Sequence, residues 1–539
     1  MNTLPGQALA NKIWTEYLSK LRWEHALLGA LVLGVLLRLI HYGLGRMLWV
    51  DEAMLTINLM GRSGAELIAP LDFRQVAPTG WVLMQDGFVD LFKSYAYGGR
   101  LPSLFAGLLS LWLFYRIACE LFSKPAAFVA VFAFAFGYGA VYYSAEIKPY
   151  AFDLLLWTII ASVALRIVST GKATNGDLAT LGASFIFGSA FTMAAPAIIG
   201  GMGGLVIVYF LMKRDLRAAG ILSAAALVAG LIFLILSLSI YKAQVDGAGL
   251  NQGGTGNYFN RLFAPFPPLS MKDVAWYPYI VEDTVKVLFG DKSSYALVFL
   301  AVCGLLIALK QRLWIAGVLI GPVIVALVLS MLKLYPMMAR LMLYMVPIII
   351  LLATFAIDAL LRQAKAATPG IVAGALIFMN IGTVSYYVQE KTFSPAMSDR
   401  DISAELATIG QTGGSEDVVF ITRWSLPNFL LYRHKYGLQE QPWIIVESAL
   451  CVDEAMLRAA GSERIWLIKP FNAWTALDRS HKTRLKPGNK AISYDVEELV
   501  NDLAWLRSRG LEVAPNDPFD CRLQRDVSPY LKDGVAPIY

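Results

Sequence analysis

Eleven mostly apolar runs, each near the length of a bilayer crossing, recur along this 539-residue chain. A helix needs about 20 such residues to cross the hydrocarbon, and it satisfies its own backbone there. The runs fall at roughly 26–45, 101–120, 126–143, 150–168, 178–194, 196–212, 218–240, 295–309, 313–332, 341–361 and 369–387. They predict a mainly α polytopic membrane protein. Only 16% of residues are charged and 57% are hydrophobic. A soluble domain would carry roughly a quarter charged residues. The net charge of +6 sits in short loops between apolar runs. That placement marks topology, and no nucleic-acid partner is expected.

Charge also decides the one ambiguous crossing. Leu178 to Met212 reads either as one tilted helix or as two helices broken at Ala194-Ala195-Pro196. With Lys12, Lys20 and Arg22 in the cytoplasm, two helices leave every same-side loop basic: Lys124, Lys172, Lys213-Arg214 with Arg217, Lys310 with Arg312, and Arg362 with Lys365. One helix would invert all later loops against the positive-inside rule. Two helices are therefore predicted. The polar lead before the first run is long for a signal-peptide n-region and reads as part of an uncleaved anchor.

This parity predicts three organisational parts: a cytoplasmic or interfacial segment 1–25, a membrane domain 26–388, and an outer domain 389–539. Within the membrane domain, loops 46–100 and 241–295 fall outside. The first carries Met54, Leu55, Ile57 and Leu59, then Trp81, Val82, Met84, Phe88 and Leu91, at helical spacing. That pattern predicts two amphipathic helices on the outer membrane surface. The second is rich in Gly and Pro and reads as a long loop. In the outer domain, Val418–Thr422, Trp443–Val446 and Arg464–Ile468 read as strands, alternating with helical stretches 426–435, 452–460 and 496–508. Such alternation predicts a small α/β domain with a largely parallel sheet. Of four cysteines, only Cys451 and Cys521 lie in this part, the one pair placed to form a disulfide.

Asp51-Glu52 directly follows the first run. Acids there either complement a helix N-terminus or place a partly desolvated carboxylate where it can deprotonate an acceptor hydroxyl. Neighbouring helix positions point about 100° apart, so the two should differ in role: Asp51 as base, Glu52 positioning acceptor or loop. Arg100, Lys148, Lys333 and Arg340 sit at outer ends of runs, where basic residues are less expected. They are placed to hold a lipid phosphate and stabilise its charge as it leaves. Their alternatives are snorkelling to headgroups, or pairing of Lys148 with Glu146. Arg38 and His41 lie in or near the first run, as intramembrane functional groups or as groups reaching the interface. The chain has no P-loop, no His-Glu-x-x-His and no serine-nucleophile elbow, and its four histidines are scattered. An activated substrate must supply the energy of any reaction.

These features together resemble the GT-C superfamily of integral-membrane glycosyltransferases, among them bacterial enzymes similar to protein O-mannosyltransferases and to the lipid A aminoarabinose transferase. The resemblance rests on Asp51-Glu52 in a long first outer loop, Gln75-Val76-Ala77-Pro78 in the same loop, Arg100-Leu101-Pro102-Ser103-Leu104 opening the second run, and Glu146-x-Lys148-Pro149-Tyr150. It covers roughly residues 26–390. It implies sugar transfer from a polyprenyl-phosphate donor to an acceptor hydroxyl on the outer face of a bacterial inner membrane, with inversion and Asp51 as base. It further implies phosphate contacts from Arg340, Lys148 and Tyr335, and acceptor or loop positioning by Gln75, Glu146 and Tyr150. Lys148 stands where the family has arginine, which puts bidentate phosphate binding there in question. Some members use a divalent metal. No second acidic cluster pairs with Asp51-Glu52 here, which favours a metal-free site with no cofactor. The expected partners are the lipid-linked donor, membrane lipids, and a glycan, lipid or protein acceptor. A lipid-linked-sugar flippase, a glycan ligase and a non-catalytic assembly protein are the competing readings. A flippase would need charges along a mid-membrane path, whereas here they gather on one face.

Overall fold

A computed structural model describes residues 23–62, 64–73, 75–247, 261–290, 294–394, 402–415, 417–421, 425–445, 465–468 and 491–494. The chain is a bundle of apolar helices capped at one end by extramembrane structure. Among the described residues, eight helices are long and apolar enough to cross a membrane: Trp23–Gly43, Ala96–Leu121, Tyr150–Thr170, Ala195–Met212, Leu216–Val245, Leu313–Met331, Met345–Gln363 and Lys365–Gln389. A ninth crossing is the pair Lys124–Phe136 and Tyr138–Ala145, bent by 54°. The shorter helices Asn175–Phe191 and Ser294–Gln311 complete the eleven expected runs.

The ambiguous stretch is two helices. Asn175–Phe191 ends before Thr192, and Ala195–Met212 begins with Pro196 in its first turn, where a missing N–H costs nothing. Thr192 and the Ala194 backbone lie against Asp153, in the first turn of Tyr150–Thr170. At the other end of these helices Arg217 donates to Asn175 at 3.3 Å. The break and the basic turn thus lie at opposite ends of the bundle. That basic end also gathers Lys124 with Glu24, Arg166 with Asp177, and Asp358 with Arg362 and Ser123.

The bent crossing explains Arg38. A bend at Gly137 frees helix carbonyls inside the bilayer, where unpaired polar groups are costly. Arg38 is fully buried, and its Nη1 donates to Ala135 O at 3.1 Å and to Gly34 O at 3.0 Å. Its Nη2 donates to Phe134 O at 3.5 Å, and Tyr387 Oη donates to Phe136 O at 2.6 Å. Gly34 permits this approach, because a Cβ there would stand 2.7 Å from the Ala135 Cβ. Arg38 is therefore a cap on a broken helix, away from any reacting group. His41 is buried too: its ring joins Thr392 O at 3.2 Å and Arg46 Nη2 at 3.1 Å. Arg46 can only donate, so His41 Nε2 is the acceptor and Nδ1–H faces the carbonyl.

One expectation for each outer loop needs correction. The helices of the first loop exist, Val50–Gly61 and Thr79–Phe92, but the former does not lie on the membrane. Met54, Leu55, Ile57 and Leu59 are all buried, in an apolar core shared with Leu406, Val419, Leu426 and Phe429 of the C-terminal part. A helix covered on so many sides carries no free lipid-facing stripe. The second loop contains the helix Met271–Phe289, whose Ser270 N-cap accepts from Asp273 N. The run of Gly and Pro before it masked that start.

The C-terminal strands are β1 (Val418–Ile421), β2 (Trp443–Ile445), β3 (Ile465–Ile468) and β4 (Ala491–Tyr494). They form one sheet ordered β2-β1-β3-β4; β1 pairs parallel with β2 and β3, and β4 is antiparallel to β3. The sheet is largely parallel, as the alternation implied. The helix expected at 426–435 is Leu426–Tyr432 followed by a 3-10 turn. Segments 452–460 and 496–508, Cys451 and Cys521 lie outside the described residues.

Replacing Arg38 by Met should leave three carbonyls poorly paired and lower stability by about 2–3 kcal/mol, against about 1 kcal/mol for Tyr387→Phe. Thermal unfolding in detergent measures both, and an R38M melt equal to wild type would refute the capping role.

Candidate functional site

Trp49 caps the helix Val50–Gly61 and places Asp51 and Glu52 in its first turn. The two acids have separate surroundings, as their angular offset requires. Glu52 is 1% exposed and fully engaged. Arg100 grips it in bidentate fashion, Nε to Oε1 at 2.9 Å and Nη2 to Oε2 at 2.7 Å. The Ile147 amide donates to Oε1 at 2.8 Å, and the Trp49 amide to Oε2 at 3.2 Å. Arg100 Nη1 then reaches Arg46 O at 2.7 Å. Glu52 thus ties together the loop start, the Ala96–Leu121 helix and the Glu146–Lys148 turn. Arg100 is corrected from phosphate ligand to positioning residue, because each of its nitrogens already has a protein acceptor.

Asp51 faces the other way and pairs with Arg340 Nη1. Both side chains keep some exposure, 16% for Asp51 and 25% for Arg340, unlike the sealed pair beside them. The Arg340 guanidinium also lies 5.9 Å from the Trp49 ring, and its Nε has no partner. Burial works against the Arg340 charge, yet Tyr150, Asp51 and Tyr143 outweigh it and raise its pKa.

Lys148 enters from the Glu146–Lys148 turn, 7% exposed, donating from Nζ to Gln75 Oε1 at 2.8 Å. Burial lowers the pKa of its ammonium, while Asp51 holds it up and Arg340 adds to the lowering. Gln75 Nε2 is held by Phe73 O at 3.1 Å. The loop that delivers Gln75 is closed by Asp72 N to Asn58 Oδ1 and Arg62 to Asp72, both 2.7 Å. Glu146 is 2% exposed. Burial, then the Glu52 and Asp51 charges, push its carboxyl up to about 8, against the Tyr142 hydroxyl and Lys148. Tyr150 is buried, its ring edge-on to Tyr143 at 5.3 Å and in electrostatic reach of Arg340 and Asp51.

Two expected phosphate ligands sit differently. Tyr335 is buried and donates its hydroxyl proton to Leu341 O at 2.7 Å. It therefore braces the turn that carries Arg340 and offers no O–H to an anion. Lys333 is exposed and turns to Ala264 O at 3.3 Å and the Phe263 ring. The structure thus gathers Asp51, Arg340, Lys148, Gln75, Glu146 and Tyr150, with Glu52, Arg100 and Tyr335 supporting them and Lys333 apart. Sequence reasoning missed Arg46, whose carbonyl takes Arg100 and whose side chain meets His41, and Trp49, whose ring lies beside Arg340; a cation straight after a run was the only signal for Arg46. No group of three or more His, Cys, Asp or Glu placed to hold a metal occurs among the described residues.

With this geometry in view, residues 77–241 match the family model of dolichyl-phosphate-mannose-protein mannosyltransferases. The match takes in Arg100, Glu146, Lys148 and Tyr150 and agrees with the GT-C membrane glycosyltransferases that the sequence motifs resemble. No curated protein matches the chain in sequence. Among solved structures, the chain is similar to ArnT from Cupriavidus metallidurans bound to undecaprenyl phosphate, at 13% identity, covering 84% of this chain and 94% of that one, TM-score 0.49. It is also similar to the oligosaccharyltransferase AglB from Archaeoglobus fulgidus in complex with an inhibitory peptide and a dolichol-phosphate, at 11% identity, covering 82% and 69%, TM-score 0.45.

Two outcomes test this electrostatic arrangement. Glu52→Ala should destabilise by about 3–5 kcal/mol, because Arg100 is left charged and buried; Glu52→Ala with Arg100→Met should recover at least half of that in a double-mutant cycle of unfolding. The second concerns pH. The native Glu146 carboxyl titrates higher than an unfolded one, so the native state holds the extra proton between about pH 4.5 and 8. Its contribution is full below that window and is lost as pH rises through it. Glu146→Gln, which cannot lose the proton, should flatten the fall in Tm between pH 5 and 8. An identical fall in both proteins would exclude Glu146 as its source.

Proposed function

We propose that this chain transfers a sugar from a polyprenyl-phosphate donor to an acceptor hydroxyl at the outer face of a bacterial inner membrane, with the C-terminal domain in the periplasm. The observation that carries the reading is the Asp51–Arg340 pair. One carboxylate and one guanidinium with an unused donor stand together, part-exposed, next to a buried lysine at the end of an apolar bundle. A base and an anion clamp in contact are what a displacement at a glycosyl phosphate needs. In this reading the acceptor oxygen attacks the anomeric carbon and its proton passes to Asp51. The carbon–oxygen bond to phosphate breaks, its electron pair leaves with the phosphate, and configuration inverts. Arg340 and Lys148 take up that charge, a preorganised electrostatic effect in a site poor in water. Donor arrival gives Arg340 a second anion to serve, which loosens its hold on Asp51 and frees the base. Gln75 keeps Lys148 aimed, and Tyr150 lines the same space.

Against a flippase stands the absence, among the described residues, of any row of charges along the bundle axis. Arg38 is capped in place, and the remaining ion pairs lie at the two ends. The match of residues 77–241 to a mannosyltransferase family supports the transferase class. The acceptor, whether glycan, lipid or protein, and the sugar are open to assay.

Asp51→Asn should lower turnover by about 10²–10⁴-fold, the range for loss of a general base, with donor binding kept. Arg340→Ala should weaken donor binding by about 10–100-fold, as loss of a charge-assisted contact does. Purified protein, a panel of polyprenyl-phosphate sugars and extracted membrane acceptors test this, with free polyprenyl phosphate measured by mass spectrometry. Full release by D51N would remove Asp51 from the reaction. Movement of the lipid-linked sugar across reconstituted vesicles without release would replace the transferase with a transporter.

A further inference from the structure

The helix that carries Asp51 is held from the far end of the chain. Just before it, the Leu48 peptide is clasped on both sides by the helix Leu426–Tyr432: Leu48 N donates to Tyr432 Oη at 2.9 Å, and Asn428 Nδ2 donates to Leu48 O at 2.5 Å. Leu48, Asn428 and Tyr432 are all buried, at 0%, 3% and 6% exposure. Beneath them Phe429 and Leu426 share one apolar core with Leu48, Leu55 and Trp81. A strand-like stretch leading into a helix would normally find water for its peptide groups. Here both backbone groups of one residue are taken by side chains from the C-terminal part, three residues before the acid proposed as base. The second side of the same helix is pinned by the Arg100–Glu52 pair, itself within electrostatic reach of Tyr432.

We infer that Asn428 and Tyr432 are positioning residues for Asp51, and that the C-terminal domain acts as a clamp that sets the reach of this carboxylate toward the site. The inference rests on the transferase reading for its catalytic half only. Misplacing a catalytic group by about 1 Å costs on the order of 10²-fold in rate, so the clamp should be visible in kcat. The hydrogen bonds of both residues to Leu48 act on the backbone before Asp51 rather than on Arg340 or Lys148, so donor affinity should be spared.

The test uses full-length protein with Tyr432→Phe, Asn428→Ala and Asn428→Asp. Gln441→Ala serves as the control, since it removes a contact within the same domain, to Asp417 O and Gly414 O, without touching Leu48. Hydrogen exchange by mass spectrometry reads the clamp without any substrate. Amides of 47–55 should exchange at least tenfold faster in Y432F and N428A and stay at wild-type rates in Q441A, with 345–363 unaffected throughout. N428D loses the donor to Leu48 O and should behave as N428A does. Sugar transfer should then show kcat reduced by about 10–100-fold with the donor KM within twofold of wild type. Unchanged exchange in Y432F and N428A would overturn the clamp. Faster exchange with wild-type kcat would overturn its positioning role. A wild-type protein without transfer on any donor would refute the transferase reading, and the exchange result would still decide the clamp.

Discussion

Glu52 and Arg100 form the joint on which the site is assembled. Neither charge would survive alone at 1% and 5% exposure, since burying a single ion costs several kcal/mol even after relaxation. Together, with the Ile147 and Trp49 amides and the Arg46 carbonyl added, every charge and most lone pairs are matched. The joint fastens three chain segments that are remote in sequence. It leaves Asp51, one residue before, directed elsewhere. Adjacent acids thus meet different partners, Arg100 and Arg340, because a helix turns by about 100° per residue.

The electrostatics of the site follow from that division. Burial first, and then the Glu52 charge beside it, disfavour an anion at Glu146, which therefore keeps a proton well into the neutral range. Lys148 is weakened as a cation by burial and by Arg340, and sustained by Asp51. In the proposed reaction an incoming phosphate would add negative charge where Arg340 and Lys148 share the Asp51 carboxylate.

Much of this was legible from the residues. Apolar run length and loop charge decided the crossings, including the two short helices around Pro196, because bilayer thickness and the positive-inside rule are strong constraints. Strand alternation foretold a mostly parallel sheet. Asp51, Arg340 and Lys148 stood out as polar groups at run ends, and Gln75 through the motif resemblance. What sequence could not reveal was pairing. Arg100, Arg340, Lys148 and Lys333 look alike as cations beside apolar runs. Only three-dimensional contacts distinguish the one sealed against Glu52 from the ones near Asp51 and the one turned to Phe263. The burial of Val50–Gly61 was hidden for a similar reason: its cover lies almost 400 positions away in the chain. The Met271–Phe289 helix was obscured by the Gly and Pro residues preceding it.

The contact between Leu48 and the Leu426–Tyr432 helix spans sequence separations of 380 and 384 residues. A ribosome feeding this chain into a membrane releases Asp51 early, within the first tenth of synthesis. The surface that secures it arrives only after nearly all membrane crossings have been made. A nascent or C-terminally truncated chain would therefore possess its acids and its basic residues yet lack their final arrangement. The order of synthesis thus makes the C-terminal part the last piece needed to fix the start of the Val50–Gly61 helix.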